Sequence, residues 1–237
     1  MKIGFHVLTQ PSRIVELKRG LTAFKDIIAY LSVSLHIKKD HDLDSAETDE
    51  LYHFIQETFP DHYSITSYLP REKNWPHAFI DNFAAGRNVA LKILEEKDID
   101  YVGWFDSDDW ITSEHIQKLQ TDAEKWTEDM IFTNLVLEGQ SKLHRLRFWK
   151  KGLMEWMNPI HEIPEIKSPD PERKYTAKHL DVDFHTDHGL RPSDTSTERN
   201  LALFEYWIPR YQQTRMVFYG LRDFMVSQRY KDVLTWG

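Results

Sequence analysis

Cysteine is missing from all 237 residues, which excludes disulfides, thiol catalysis and thiolate metal sites and fits a reducing compartment. Any metal must be held by carboxylate, imidazole or carbonyl groups. No apolar run approaches the ~20 residues of a membrane span, and residues 1–8 are too short and too interrupted for a signal sequence. The reading is a soluble, cytoplasmic protein without a transmembrane segment. A basic excess is missing as well: 30 Lys and Arg face 38 Asp and Glu, giving a net charge of -8 and a pI near 5.8. The footprint that nucleic acid or an anionic membrane needs is therefore absent, and nucleic acid is not an expected partner. No repeat or low-complexity tract interrupts the chain. What is present, 41% hydrophobic and 13% aromatic residues, is enough for one sizeable core or a core domain with a small appendage.

Residues 3–8 read as a buried strand, and Ser12 is placed to cap a helix carrying Ile14, Leu17, Leu21 and Phe24 on one face. Residues 27–36 and 62–68 read as further strands, with a helix bearing Leu51, Phe54 and Ile55 between them. Residues 40–50 are acidic, and the spacing Asp40-x-Asp42-x-Asp44 invites an EF-hand reading. That loop would want Gly where Ser45 stands and Glu where Leu51 stands, so a solvated acidic loop ending in a helix cap is preferred. A loop with Trp75 leads to a helix with Phe83, Arg87, Ala90 and Leu94, then to a strand at 101–105. This alternation implies an α/β fold with a largely parallel sheet flanked by helices.

Later the pattern changes. Thr112-Ser113 caps a helix with Ile116, Leu119, Ala123 and Trp126, and it begins directly after the acids that end the strand. Residues 131–137 and 143–149 form a hairpin around Glu138-Gly139-Gln140, 163–171 is a proline-rich loop, and 180–184 is a short strand. Thr195-x-x-Glu198 is a capping box for a helix with Leu201, Phe204 and Ile208, ended by Pro209, with another helix or two beyond.

Asp-x-Asp occurs five times, at Asp40/Asp42, Asp42/Asp44, Asp98/Asp100, Asp106/Asp108 and Asp181/Asp183, so the pattern alone decides nothing. Only Asp106/Asp108 directly follows a run that reads as a buried strand, and ligands of α/β sheets bind outside the carboxyl ends of strands. Asp106, Asp108 and Asp109 repel one another when ionised. Shifted pKa values or a divalent metal would relieve that repulsion.

Four motifs stand in order: Trp75…Phe83-Ala84-Ala85-Gly86-Arg87-Asn88, Trp104-Phe105-Asp106-Ser107-Asp108-Asp109, Trp156…His161-Glu162, and Asp187-His188-Gly189 followed by Glu198-Arg199-Asn200-Leu201. Together they resemble the family-two glycosyltransferases of the GT-A fold, especially the bacterial subgroup with a Trp…His-Glu motif that includes lipopolysaccharide-core glucosyltransferases. The resemblance implies a GT-A domain over 1–195, with a nucleotide-binding half at 1–110 and an acceptor half at 111–195, and a C-terminal helical extension at 196–237. It implies a hexosyltransferase that takes a nucleotide-sugar donor, uses Mn²⁺ or Mg²⁺ and inverts the anomeric carbon. UDP-sugars are the commonest family donors, and UDP-glucose is the preferred reading.

Carried over by position, the resemblance gives Asp106 to the ribose or metal, Asp108 to the metal bridging the diphosphate, and His188 to the distal ligand position, with His185 its competitor. Arg87 lies beside the diphosphate or ties down Asp106, and Thr9, Gln10, Asp44, Asn88 and Ser107 face the donor. Glu162 is the general base, with Asp109 the second choice. A structural alternative pairs Glu162 with Arg145 or Arg147. His161 orients Glu162 or the donor, and Trp156 stacks on the acceptor or packs in the core. The sequence departs from the family at Thr9-Gln10, where Asn-Glu is usual, and at residues 44–49, which only approximate an Asp-x-x-Ser-Thr-Asp turn. The acceptor is a hydroxyl, by analogy on a cell-envelope glycan, with a protein or a modified nucleic-acid base as alternatives. A catalytically silent glycan-binding module and a metal-dependent nucleotidyltransferase remain open, and the sequence does not give the oligomeric state.

Overall fold

The computed structural model describes residues 1–37, 45–72, 74–77, 79–137, 142–186, 194–210 and 214–226. Strands β1 (Ile3–Thr9), β2 (Ile28–His36), β3 (Tyr63–Tyr68) and β4 (Tyr101–Trp104) are parallel and lie in the order β3-β2-β1-β4. Helices α1 (Ile14–Phe24), α2 (Ala46–Thr58) and α3 (Phe83–Glu95) connect them. The chain winds outward from β1 to β3 and then returns to the other side of β1. This reversal opens a crevice at the carboxyl ends of β1 and β4.

The second half of the chain continues the same sheet. β7 (Lys142–Lys150) runs antiparallel to β4 and to β6 (Met130–Leu137), and β6 runs parallel to β10 (Ala177–Thr186). The antiparallel β6–β7 pair is the expected hairpin, whose turn lies outside the described residues. A strand missing from the sequence reading, β5 (Asp109–Ile111), pairs antiparallel with β10 and completes the order β3-β2-β1-β4-β7-β6-β10-β5. Four strand spacings of about 4.8 Å separate β4 from β5 in this order. The short link between them can reach only about 18 Å when fully extended, so the sheet has to curl. Phe105 fills the inside of the curl, against Phe5 and Phe24.

Other elements also differ from those expected of the sequence. Ser12 does not cap α1; a 3₁₀ turn over Pro11–Arg13 precedes the helix, which has no side-chain cap. Residues expected as proline-rich loop include β9 (Ile163–Ile166), paired with β8 (Met154–Met157), and the two-stranded ribbon accommodates Pro164 opposite Trp156. The short strand at 180–184 is part of the longer β10. Caps at the other helices follow the sequence: Ser45 accepts from the Thr48 N–H of α2, Asn82 from Ala85 of α3, and Thr112 from His115 of α4 (Ser113–Ala123).

Three apolar clusters result. One lies under α1, α2 and α4, a second packs α3 on Trp104, Trp149 and Trp156, and a third joins Trp75 and Ile160 to α5 (Asp194–Trp207) and α6 (Thr214–Val226). α5 carries Leu201 and Phe204 inward as its periodicity predicts, and the capping-box side chain of Thr195 lies outside the described residues. No helix among the described residues is long and apolar enough to cross a membrane.

Gly103 of β4 lies opposite Phe148, whose ring folds over it in edge contact with Phe5. A Cβ there would stand 2.8 Å from the Phe148 ring and 2.9 Å from Phe5. Gly103→Ala should therefore cost about 1–3 kcal/mol of stability by overpacking, read as a lower urea midpoint at unchanged slope.

Candidate active site

A cleft of about 420 Å³ opens at the carboxyl ends of β1, β2 and β4. Thr9 and Gln10 line it from the end of β1 and His36 from the end of β2, while Asp106, Ser107 and Asp108 supply the turn after β4. The β8–β9 loop contributes Ile160, His161 and Glu162, and Arg87 reaches in from α3. Asp106 and Glu162, distant in sequence, meet on this one guanidinium. Arg87 Nε donates to Glu162 Oε1 at 2.8 Å, and Nη2 makes a short ion-paired hydrogen bond to Asp106 Oδ1.

Local sequence explains how Arg87 gets there. Gly86 lets α3 approach β1 closely, since a Cβ would stand 3.0 Å from Leu8 Cδ1. Asn88, the next residue, latches β8 by accepting from Trp156 N and donating to Trp156 O, both at 2.9 Å. The Arg87 guanidinium then lies 5.0 Å from the Trp104 ring centre and 4.7 Å from that of Trp156. Burial opposes charge at Arg87, but Asp106 and Glu162 outweigh it and raise its pKa. Burial likewise opposes ionisation of Asp106, and Arg87, Arg145 and Arg147 together hold it well below the ordinary carboxylate range.

A second ion pair lies beneath the first. Arg147 Nη1 and Asp109 Oδ2 are 2.7 Å apart, and both side chains are sealed from solvent. Asp109 Oδ2 also accepts from Asp106 N at 2.9 Å, so this pair fixes the acidic turn. Burial raises the pKa of Asp109, with Arg147 opposing.

The residues singled out in the sequence divide accordingly. Thr9, Gln10, Arg87, Asp106, Ser107, Asp108, His161 and Glu162 share the cleft. Asp109 sits behind it on Arg147, and Asn88 and Trp156 form the latch, Trp156 being buried with its Nε1 donating to His6 Nε2 at 3.2 Å. His185 stacks on Trp110, with ring centres 4.3 Å apart, and does not line the cleft. Asp44 and His188 lie outside the described residues. The His161 ring is stacked on Tyr219 at 4.4 Å and on Phe204 at 5.7 Å, and its Nε2 lies 3.8 Å from Asp223. Arg145, Arg199, Asn200 and Phe79 also line the cleft, and the sequence reading gave none of them a role there. The alternation of Arg145 and Arg147 along β7, both over Trp104, is the signal that could have exposed the first of them.

No protein-family model matches the sequence, and no curated protein does. Among solved structures, S. aureus TarS 1-349 aligns over 94% of this chain and 80% of its own, at TM-score 0.52 and 11% identity. S. aureus TarS aligns at TM-score 0.51 and 11% identity, again over 94% of this chain, which spans only 43% of it. TarS 1-349 in complex with UDP aligns over 86% of this chain and 65% of its own, at TM-score 0.47 and 13% identity. The fold is GT-A-like. At such identities the likeness concerns architecture alone.

Within this GT-A-like fold, the described residues alone give an incomplete donor set for a metal. Asp108 lines the cleft, but Asp106 is engaged by Arg87 at Oδ1 and has Arg145 at 3.7 Å from Oδ2. Among the described residues no group of three His, Asp or Glu side chains could hold a metal ion. The described residues therefore do not form a metal shell by themselves.

Replacing Arg87 would leave two carboxylates in low-dielectric surroundings. Arg87→Met should cost about 3–5 kcal/mol, measured by urea denaturation at pH 7, and Asp106→Asn in the same chain should restore part of it. Because the folded Asp106 pKa is depressed, its contribution is fully present above the unfolded value of about 4 and is lost as pH falls through the lower folded value. Wild type should lose this increment only in strong acid, and the Arg87→Met chain should lack it.

Proposed function

We propose that the protein is a glycosyltransferase that moves a hexose from a nucleotide-sugar, preferentially a UDP-sugar, to an acceptor hydroxyl on a glycan with inversion at the anomeric carbon. The observation that carries this reading is the Arg87 bridge, which brings the Asp106-Ser107-Asp108 turn and Glu162 to one cleft at the switch point of a GT-A-like sheet. Thr9, Gln10 and His36 would face the nucleoside, and the acidic turn the ribose and diphosphate.

Glu162 is the base. Its Oε1 is occupied by Arg87 Nε, which leaves Oε2 to receive a proton. In the transfer the acceptor oxygen bonds to the anomeric carbon and its proton passes to Glu162. The bond from that carbon to the diphosphate oxygen breaks, with the electron pair leaving on the phosphate. A single displacement of this kind inverts the centre. His161 holds the loop through its ring contacts. Divalent-metal dependence belongs to the same proposal, with Asp108 and His188 the candidate ligands, and no step above requires it.

The test is release of nucleoside diphosphate from a panel of UDP-, GDP-, CDP- and ADP-sugars, each with Mn²⁺, with Mg²⁺ and with EDTA. Turnover should be best with a UDP-sugar and should fall in EDTA. Glu162→Gln should lower kcat by about 10²–10⁴ with little change in donor KM. A panel in which nothing is bound or turned over, or in which nucleoside triphosphates are consumed instead, would overturn the assignment.

A further inference from the structure

Among the described residues four arginines line the cleft, and three are committed. Arg87 carries Asp106 and Glu162, and Arg13 Nη1 holds Glu16 Oε1 at 3.0 Å. Arg199 lies over Phe83 and donates from Nε and Nη2 to Asn200 Oδ1 at 3.3 and 3.0 Å. Arg145 differs. Its closest carboxylate oxygen, Asp106 Oδ2, is 3.7 Å away, an ionic contact too long for a hydrogen bond. No hydrogen bond joins its guanidinium to another described residue. Among the described residues the donors of this planar fork have no acceptor within hydrogen-bond distance.

The fork stands on a strand, and its side chain is partly exposed. Arg145 lies on β7 opposite Thr133 of β6, with its guanidinium 4.6 Å from the centre of the buried Trp104 ring. Arg147, two residues on and over the same indole, is locked to Asp109. The Arg145 side chain keeps 35% of its surface exposed. It can leave Asp106 without stranding a charge, because Asp106 retains Arg87.

We infer that Arg145 is the residue of the cleft that grips the donor's diphosphate and stabilises it as it departs. This rests on the transferase reading for its chemistry, since breaking the bond to the anomeric carbon leaves an electron pair, and hence new charge, on a phosphate oxygen. A guanidinium fork matches two phosphate oxygens at once and stays charged throughout. Its contribution grows as that charge develops, which makes Arg145 a catalytic residue and supplies from the protein a positive charge that Asp106, already paired, is poorly placed to recruit as a metal.

Arg145→Met gives up the guanidinium over Trp104 but keeps an apolar side chain of similar reach, and Asp106 retains Arg87, so the variant should still fold with a cooperative urea transition. Calorimetric titration of the full chain with inorganic pyrophosphate, UDP and uridine, each in EDTA and in Mn²⁺, reads the phosphate grip apart from turnover. Pyrophosphate and UDP affinity should fall about ten- to hundredfold in Arg145→Met, as for loss of a charged hydrogen bond. Uridine affinity should be unchanged, and Arg145→Lys should recover part of the loss. If the variant binds pyrophosphate and UDP as tightly as wild type, or if wild type binds neither, the inference fails. If pyrophosphate binding depends on Arg145 while no nucleotide-sugar is consumed, the phosphate grip stands and the transferase reading falls.

Discussion

A buried guanidinium cannot persist between two indoles without anionic partners, and Arg87 has two. This constraint orders the site. The carboxylates come from the turn after β4 and from the β8–β9 loop, so α3, the sheet and the ribbon must all be in place before the charge is compensated. Buried ion pairs give little net stability against a well-packed apolar alternative, while breaking one is expensive. Their value here is geometric: the bridge permits one mutual placement of the acidic turn and Glu162 and penalises others.

Two further layers support it. Below, Arg147 and Asp109 form a sealed pair whose carboxylate also receives the Asp106 N–H, so the turn is held by its backbone as well as by its side chain. On the opposite wall, His161 adopts a left-handed backbone with φ of 50°, uncommon outside glycine, and its ring is kept there by Phe204 and Tyr219. Asp223 of α6 lies beside that ring; burial would raise its pKa, and the hydrogen bond from Arg222 helps hold it low. Glu162 is the next residue, so the geometry of the proposed base depends on helices that a linear reading treats as an extension.

Much of the first half was legible because each element is decided locally. Residues with helical or strand periodicity and a cap residue at the helix start suffice to specify α2, α3, α4 and the four parallel strands. β5 was not legible, since three residues just after an acidic turn become a strand only by meeting β10 across the curl. β9 was masked by Pro164, which a two-stranded ribbon tolerates and periodicity penalises. Within the site, motif order brought Arg87, Asp106 and Glu162 to attention, but period cannot distinguish an aromatic lining a cleft from one beneath it. Trp156 proved to be the latter. Arg145 could be assigned to a strand face, yet its significance depends on what its neighbours already hold, and that is a property of the folded cleft.

Net charge misleads in the same way. At -8 the molecule as a whole repels an anion, yet among the described residues the cleft presents four arginines against the three carboxylates of Asp106, Asp108 and Glu162. Screening confines most of the surface repulsion to about 8–10 Å at physiological salt. Inside the cleft low-dielectric walls weaken that screening. Under the proposed transferase reading, capture of a diphosphate would be governed by the few charges that remain uncommitted after folding. Asp106 and Glu162 are balanced by guanidinium within the protein itself, which turns a turn rich in acids from a barrier to phosphate into a support for the cation beside it.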